Sequence, residues 1–164
     1  MRFNLFLHTD GGSRGNPGPG AYGYVVLKMK EPVEVDVSGK NIDLSTVDYS
    51  TPLVSAGQYL GKTTNNEAEY QGIINGLEFL NTQYFADKSM NKDIAILILL
   101  DSKLVVEQIN RHWKIKEERL RLLADKVWQQ LDKLPIPYVI KHIPREQNSL
   151  ADKQVNVAME DAGF

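Results

Sequence analysis

Cysteine is absent from this chain of 164 residues, which excludes disulfides and thiolate metal sites. No two histidines stand at metal-ligand spacing, which sets zinc aside. Long hydrophobic runs are missing too. The longest, Ile94 to Leu100, falls far short of a membrane span. The opening Met1-Arg2-Phe3-Asn4-Leu5 turns polar too soon for a signal peptide. Nor is there an excess of positive charge. Lys and Arg number 19 against 21 Asp and Glu, a net charge of -2, which is not the balance of a typical nucleic-acid binder. These absences lead us to expect a soluble, cytoplasmic, free-standing protein forming one domain over residues 1–164. An apolar content of 42% is ordinary for a chain of this size with a real core.

Periodicity supplies the elements. Arg2 to Thr9 reads as a strand with Phe3, Leu5 and Leu7 on one face. Ala21 to Lys30 reads as a second strand, pairing antiparallel with the first across a short glycine- and proline-rich turn. Leu53 to Leu60 reads as a third. Asn66 to Gln83 predicts a helix, with Tyr70, Ile73, Ile74, Leu77 and Leu80 as its apolar stripe. Ile94 to Leu100 is continuously apolar, as a strand buried on both faces should be. Helices follow over Ser102–Asn110 and Glu117–Lys133, the second presenting Leu120, Leu123, Ala124, Val127, Trp128 and Leu131 to the core. Pro135 and Pro137 stop it. Tyr138–Ile143 gives a last strand and Ser149–Ala162 a last helix. The expected architecture is α/β: an antiparallel three-strand meander followed by two strands added parallel through right-handed crossovers. Residues 31–52 are polar and irregular, either a long hairpin tip or a loop insertion, and the pattern assigns the stretch 28–52 no role.

Four acids sit at the ends of these elements, and each has a bland explanation. Asp10 precedes Gly11, and Asp-Gly is a common hairpin turn. Glu69 forms a capping box with Asn66 as N-cap, although Thr64 and Glu67 offer a competing box. Asp101 is suited to capping the helix after it. Asp152 lies three residues after Ser149, where the helix dipole favours an anion. Jointly these explanations fare worse. Neighbouring strands would bring Asp10 and Asp101 to one sheet edge, and Glu69 and Asp152 open helices that start there. Four anions so placed repel one another unless a cation joins them. Oxygen-only ligands suit a hard divalent ion, Mg²⁺ in particular. With the four set aside, 17 acids face 19 bases, so the negative total weighs little against a nucleic-acid substrate.

The segments that carry these acids match a family. Thr9-Asp10-Gly11-Gly12-Ser13-Arg14-Gly15-Asn16-Pro17-Gly18-Pro19-Gly20, Thr64-Asn65-Asn66-Glu67-Ala68-Glu69, Leu100-Asp101-Ser102 and His142-Ile143-Pro144-Arg145-Glu146-Gln147-Asn148-Ser149-Leu150-Ala151-Asp152 occur in family order. The chain resembles type 1 ribonuclease H, in the archaeal-like form without a basic protrusion. The match runs from about Phe3 to about Ala158. The resemblance implies a ribonuclease H-like fold: a five-stranded mixed sheet with helices on both faces. It implies hydrolysis of the RNA strand of RNA/DNA hybrids by a two-metal-ion mechanism, leaving 5′-phosphate and 3′-hydroxyl ends. Two Mg²⁺ ions, with Mn²⁺ as substitute, would be held by Asp10, Glu69, Asp101 and Asp152, Asp10 bridging them. Asn16, Asn65 and Asn66 match the family's minor-groove contacts; turn formation and helix capping are their bland alternatives. A monomer acting on hybrid is implied, with double-stranded RNA as a second candidate duplex.

Some positions depart from the family pattern. The loop before Asp152 carries Arg145, which stands as the cation near the scissile phosphate or as a surface ion pair with Glu146. His142 falls within the last strand and reads as a strand residue. The basic stretch Arg111 to Arg121 either contacts DNA phosphates or is a solvated helix start with Trp113 in the core. Lys103 stands where the family commonly has a polar amide. Integrases, resolvases and exonucleases share related folds, but Thr-Asn-Asn-Glu-Ala-Glu argues against them. A non-catalytic binding domain is opposed by the presence of all four acids.

Overall fold

The computed structural model describes residues 1–87 and 92–164. Its strands are β1 (Arg2–Ser13), β2 (Gly18–Glu34), β3 (Val54–Thr63), β4 (Ile96–Leu100) and β5 (Tyr138–His142). They form one sheet in the order β3-β2-β1-β4-β5. The β1–β2 and β2–β3 pairs are antiparallel, and β1–β4 and β4–β5 are parallel. The helices are α1 (Asn65–Phe79), α2 (Lys103–Ile109), α3 (Glu118–Asp132) and α4 (Ser149–Asp161). The expected mixed α/β sheet is the one observed. Among the described residues no helix is long and apolar enough to cross a membrane.

One face of the sheet packs against α1, α2 and α3. Leu5, Leu7, Ile96, Ile98 and Leu100 meet Tyr70, Ile73, Leu77, Val105, Ala124 and Val127 there. The expected stripe of α1 is buried in full, and the helix runs on through a π-helical turn at Leu80–Tyr84. The Tyr70 hydroxyl donates to Gln108 Oε1 at 2.7 Å, so the aromatic ring is buried without orphaning its polar end. Every residue of β4 is fully buried, as its unbroken apolar run requires.

The opposite face is shared by α4, which covers β2 and β3, and the irregular segment after β2. Val35, Ile42, Leu44 and Val47 pack there on Phe3, Phe6, Val25, Leu27, Leu97 and Leu99. Segment 28–52 is therefore structural. Its first part extends β2 to Glu34, and the rest roofs the sheet where no helix does. Asp36, Asp43 and Asp48 each accept from the backbone N–H two residues on, at 2.9–3.0 Å, which holds the roof's turns without regular structure.

Two sequence expectations are corrected. Phe3 does not share a face with Leu5 and Leu7. The pairing shifts between Phe3 and Leu5, so Phe3 joins Phe6 on the second face. The intervening Asn4 is held by side-chain bonds to Asp93 and to the Ile94 N–H. Trp113 is not in the core but 45% exposed. Trp128 packs against the core instead, with its indole N–H on the Ile109 carbonyl and the Arg111 guanidinium 3.8 Å from its ring centre.

Candidate metal centre

The four acids enter one cleft from four elements. Strand β1 runs past Asp10 to Ser13, pairing Asp10 with Gly23, so Asp10 is not a turn residue. Strand β4 lies parallel beside β1, with Leu100 opposite Thr9. Asp10 and Asp101 thus directly follow the last pair of the parallel β1–β4 ladder, at the carboxyl end of β4, where open α/β sheets build their sites.

Glu69 comes from α1, and two glycines let it arrive. A Cβ on Gly72 would lie 2.6 Å from the Asp10 carbonyl oxygen, and one on Gly11 would lie 2.2 Å from the Ala68 carbonyl. Only bare backbone on both sides permits so close an approach. The capping question resolves in favour of Thr64. Its hydroxyl accepts from the Glu67 N–H at 3.2 Å while Glu67 Oε1 accepts from the Thr64 N–H at 3.3 Å. Glu69 is left with no part in capping. Asp101 is also released, because Ser102 caps α2 by accepting from the Val105 N–H. Asp152 sits in the first turn of α4, where Asn148, not Ser149, is the N-cap.

Oxygens of Asp10, Glu69 and Asp101 lie within 4.8 Å of one another. Asp10 is 6% exposed and Glu69 8%. Burial, then the Asp101 charge, pushes Asp10 up to about 7. Burial and the charges of Asp10 and Asp101 push Glu69 well above the usual carboxylate range. Glu69 Oε2 is buried with no hydrogen-bond partner. A buried carboxylate oxygen without a donor, beside two further carboxylates, is a costly arrangement for protein alone. A hard divalent cation would relieve it, so the donor set fits such an ion.

The cleft has a volume of about 460 Å³, and Asp152, Arg145 and Asn65 share its wall with the three acids. Arg145 Nη2 lies 4.0 Å from Asp152 Oδ1, so the partner is Asp152 rather than Glu146, and the side chain stays 82% exposed. Asn16 Oδ1 accepts from the Asn65 N–H at 3.0 Å, and Asn65 Oδ1 accepts from the Ser13 N–H at 2.9 Å. The two amides lace the turn after β1 to the start of α1, with Asn66 next along the helix. His142 ends β5 opposite Leu100. Lys103 is exposed at the start of α2. Val155, Asn156 and Met159 also line the cleft. Sequence reading missed them, although their spacing from Asp152 is that of one helical face.

A carboxylate-lined cleft at the end of a mixed sheet, suited to divalent metal, defines the class. The comparisons agree. A family model described as reverse transcriptase-like matches residues 50–158. The bifunctional protein Rv2228c of Mycobacterium tuberculosis is 36% identical over 161 residues, 96% of this chain and 36% of that protein. This chain thus spans about a third of that relative's length. The ribonuclease H of Ruthia magnifica is 30% identical over 169 residues, covering 95% of each. Among solved structures, LC11-RNase H1 in complex with an RNA/DNA hybrid superposes with a TM-score of 0.76 at 34% identity, over 96% of this chain and 98% of that one. The RNase H1 of the halophilic archaeon Halobacterium salinarum gives 0.70 at 30% identity, over 96% and 98%. The chain belongs to the type 1 ribonuclease H family.

Proposed function

We propose that this protein is a metal-dependent endonuclease that hydrolyses the RNA strand of RNA/DNA hybrids, leaving 5′-phosphate and 3′-hydroxyl ends. Residues 1–164 act as one domain and as a monomer. One observation carries the reading: three converging carboxylates, one with an unpartnered buried oxygen, in a chain of this family. Asp10, Glu69, Asp101 and Asp152 would hold two Mg²⁺ ions, or Mn²⁺ in their place. Such ions lower the pKa of an attacking water and stabilise the departing 3′ oxygen.

The chain's own residues do the rest. Asp10 and Glu69 would give up their protons to a bound cation, whose positive charge offsets the burial and the neighbouring carboxylate charges that raise them. Asn65 and Asn16 present amides on the rim, beside Asn66. An amide both donates and accepts, which suits a ribose 2′-hydroxyl, the group that separates RNA from DNA. Arg145, exposed and within charge-pairing distance of Asp152, supplies the cation for the scissile phosphate.

The test is cleavage of end-labelled RNA/DNA hybrid, with double-stranded RNA and DNA alongside, in Mg²⁺, Mn²⁺ or EDTA. Metal-dependent cutting confined to the RNA strand of the hybrid is expected. Folded protein that cuts nothing in either metal would reduce the proposal to hybrid binding.

A further inference from the structure

Behind the carboxylates lies a buried polar chain that the chemistry above does not use. His8 is 1% exposed and Asn148 is fully buried. Asn148 Nδ2 donates to the Thr9 carbonyl at 2.9 Å. A carbonyl only accepts, so this bond fixes which way the amide faces. Asn148 Oδ1 therefore faces His8 Nδ1, at 3.0 Å, and Nδ1 must carry the proton. In the neutral ring Nε2 is then an acceptor, and the Tyr49 hydroxyl donates to it at 3.0 Å. The three bonds run one way: Tyr49, His8, Asn148, Thr9.

The chain of bonds joins three distant parts of the sequence. Tyr49 belongs to the roof over the second sheet face and packs edge-on against His8, ring centres 5.3 Å apart. The Thr9 carbonyl is half of the peptide unit whose nitrogen is that of Asp10. Asn148 is the N-cap of α4, and its backbone carbonyl accepts from the Asp152 N–H at 3.1 Å. An asparagine at this position ordinarily turns its side chain onto the helix's own first amides. Here it makes no such bond. The side chain is directed to β1 instead, so one residue holds the backbone of Asp10 with its amide and that of Asp152 with its carbonyl.

We propose that Tyr49 and His8 are positioning residues: through Asn148 they set the separation of Asp10 and Asp152, so the roof segment governs the metal centre from the sheet face it shares with α4. This rests on the reading that the four acids hold divalent metal.

The test uses three variants of the full chain. His8→Leu fills the buried volume but loses both bonds. His8→Asn restores a donor near the Nδ1 position. Tyr49→Phe removes only the first hydroxyl. Mn²⁺ binding is followed by calorimetry, and kcat and KM are measured on the hybrid. Partners that orient metal ligands are typically worth about 10–100-fold in affinity or activity. We expect His8→Leu to weaken Mn²⁺ binding and lower kcat by about tenfold with KM unchanged. Tyr49→Phe should move both the same way by less, and His8→Asn should recover most of the loss. If His8→Leu does not fold, Tyr49→Phe decides. The idea is overturned if folded variants bind Mn²⁺ and turn over as the parent does, or if His8→Asn is no better than His8→Leu. A parent that binds Mn²⁺ but cuts no hybrid would remove the ribonuclease reading and leave the Mn²⁺ comparison to judge the positioning role.

Discussion

Asp10 concentrates the energetics of the site in one side chain. Its carboxyl is pushed up to about 7, first by burial and then by Asp101. Charging it in the folded, metal-free state is therefore unfavourable. Asp10→Asn should abolish cleavage of hybrid while leaving the fold intact. In EDTA near neutral pH it should also raise stability, by up to about 4 kcal/mol for a shift of this size. Urea melts of the two proteins check the second claim. A variant that still cleaved with Mg²⁺ would remove Asp10 from the metal centre.

A pH dependence follows from the same group, with its sign set by proton binding. Between an ordinary value of 3.8 and about 7, the folded state holds the Asp10 proton and the unfolded chain has released it. Stability in EDTA therefore falls as pH rises through that window. His8 acts oppositely. Burial lowers it from 6.5 to about 4, so between those values the unfolded chain binds the extra proton and stability rises with pH. Saturating Mn²⁺ should remove the first effect and leave the second. Denaturation midpoints across this range, with and without Mn²⁺, would show the slope becoming more positive when metal is present. Identical slopes would mean that the carboxylates do not hold it.

At the scale of elements, α1 shows what a sequence declares and what it conceals. Its apolar stripe is periodic, so the helix and its buried face were legible. The choice between Thr64 and Asn66 as cap was not, because both carry an acid three residues on. Strand β1 misled in another way. Alternation assumes an unbroken pleat, and the shift at Asn4 moves Phe3 to the other face. The four acids stood out by their places at element ends, but no local signal revealed that Asn148 forgoes its cap. That depends on His8, far away in sequence. Gly72 offers a test of the contact between α1 and β1. Gly72→Ala puts a methyl 2.6 Å from the Asp10 carbonyl oxygen, against rigid backbone. We expect a loss of about 1–3 kcal/mol, the usual cost of overpacking. Activity per folded molecule should fall too, because the helix carries Glu69. A variant with parental urea midpoint and turnover would show that the two elements separate freely.

For the whole molecule, the roof formed by residues 35–52 replaces helical cover on the second face. Nothing in its composition announces this. Val35, Ile42, Leu44 and Val47 are separated by polar residues at no regular spacing, and only the assembled sheet gives them a common surface. Leu44→Ala should cost about 2–4 kcal/mol, as for a core leucine, although it lies in what reads as a loop. A loss below about 0.5 kcal/mol, the scale of surface changes, would show that the segment merely lies on the sheet.

The order in which the chain is synthesised gives the dispersed site a further meaning. Asp10 emerges on β1, Glu69 and Asp101 well after it, and Asp152 only with α4. The strand that carries Asp10 lies at the centre of the sheet, flanked by β2 and by β4, which is made much later. On the proposed reading, a growing chain still on the ribosome, surrounded by RNA, would lack the complete set of four acids until α4 has been translated and docked. With the four acids acting together as proposed, topology alone would withhold nuclease competence from unfinished copies, with no inhibitor required.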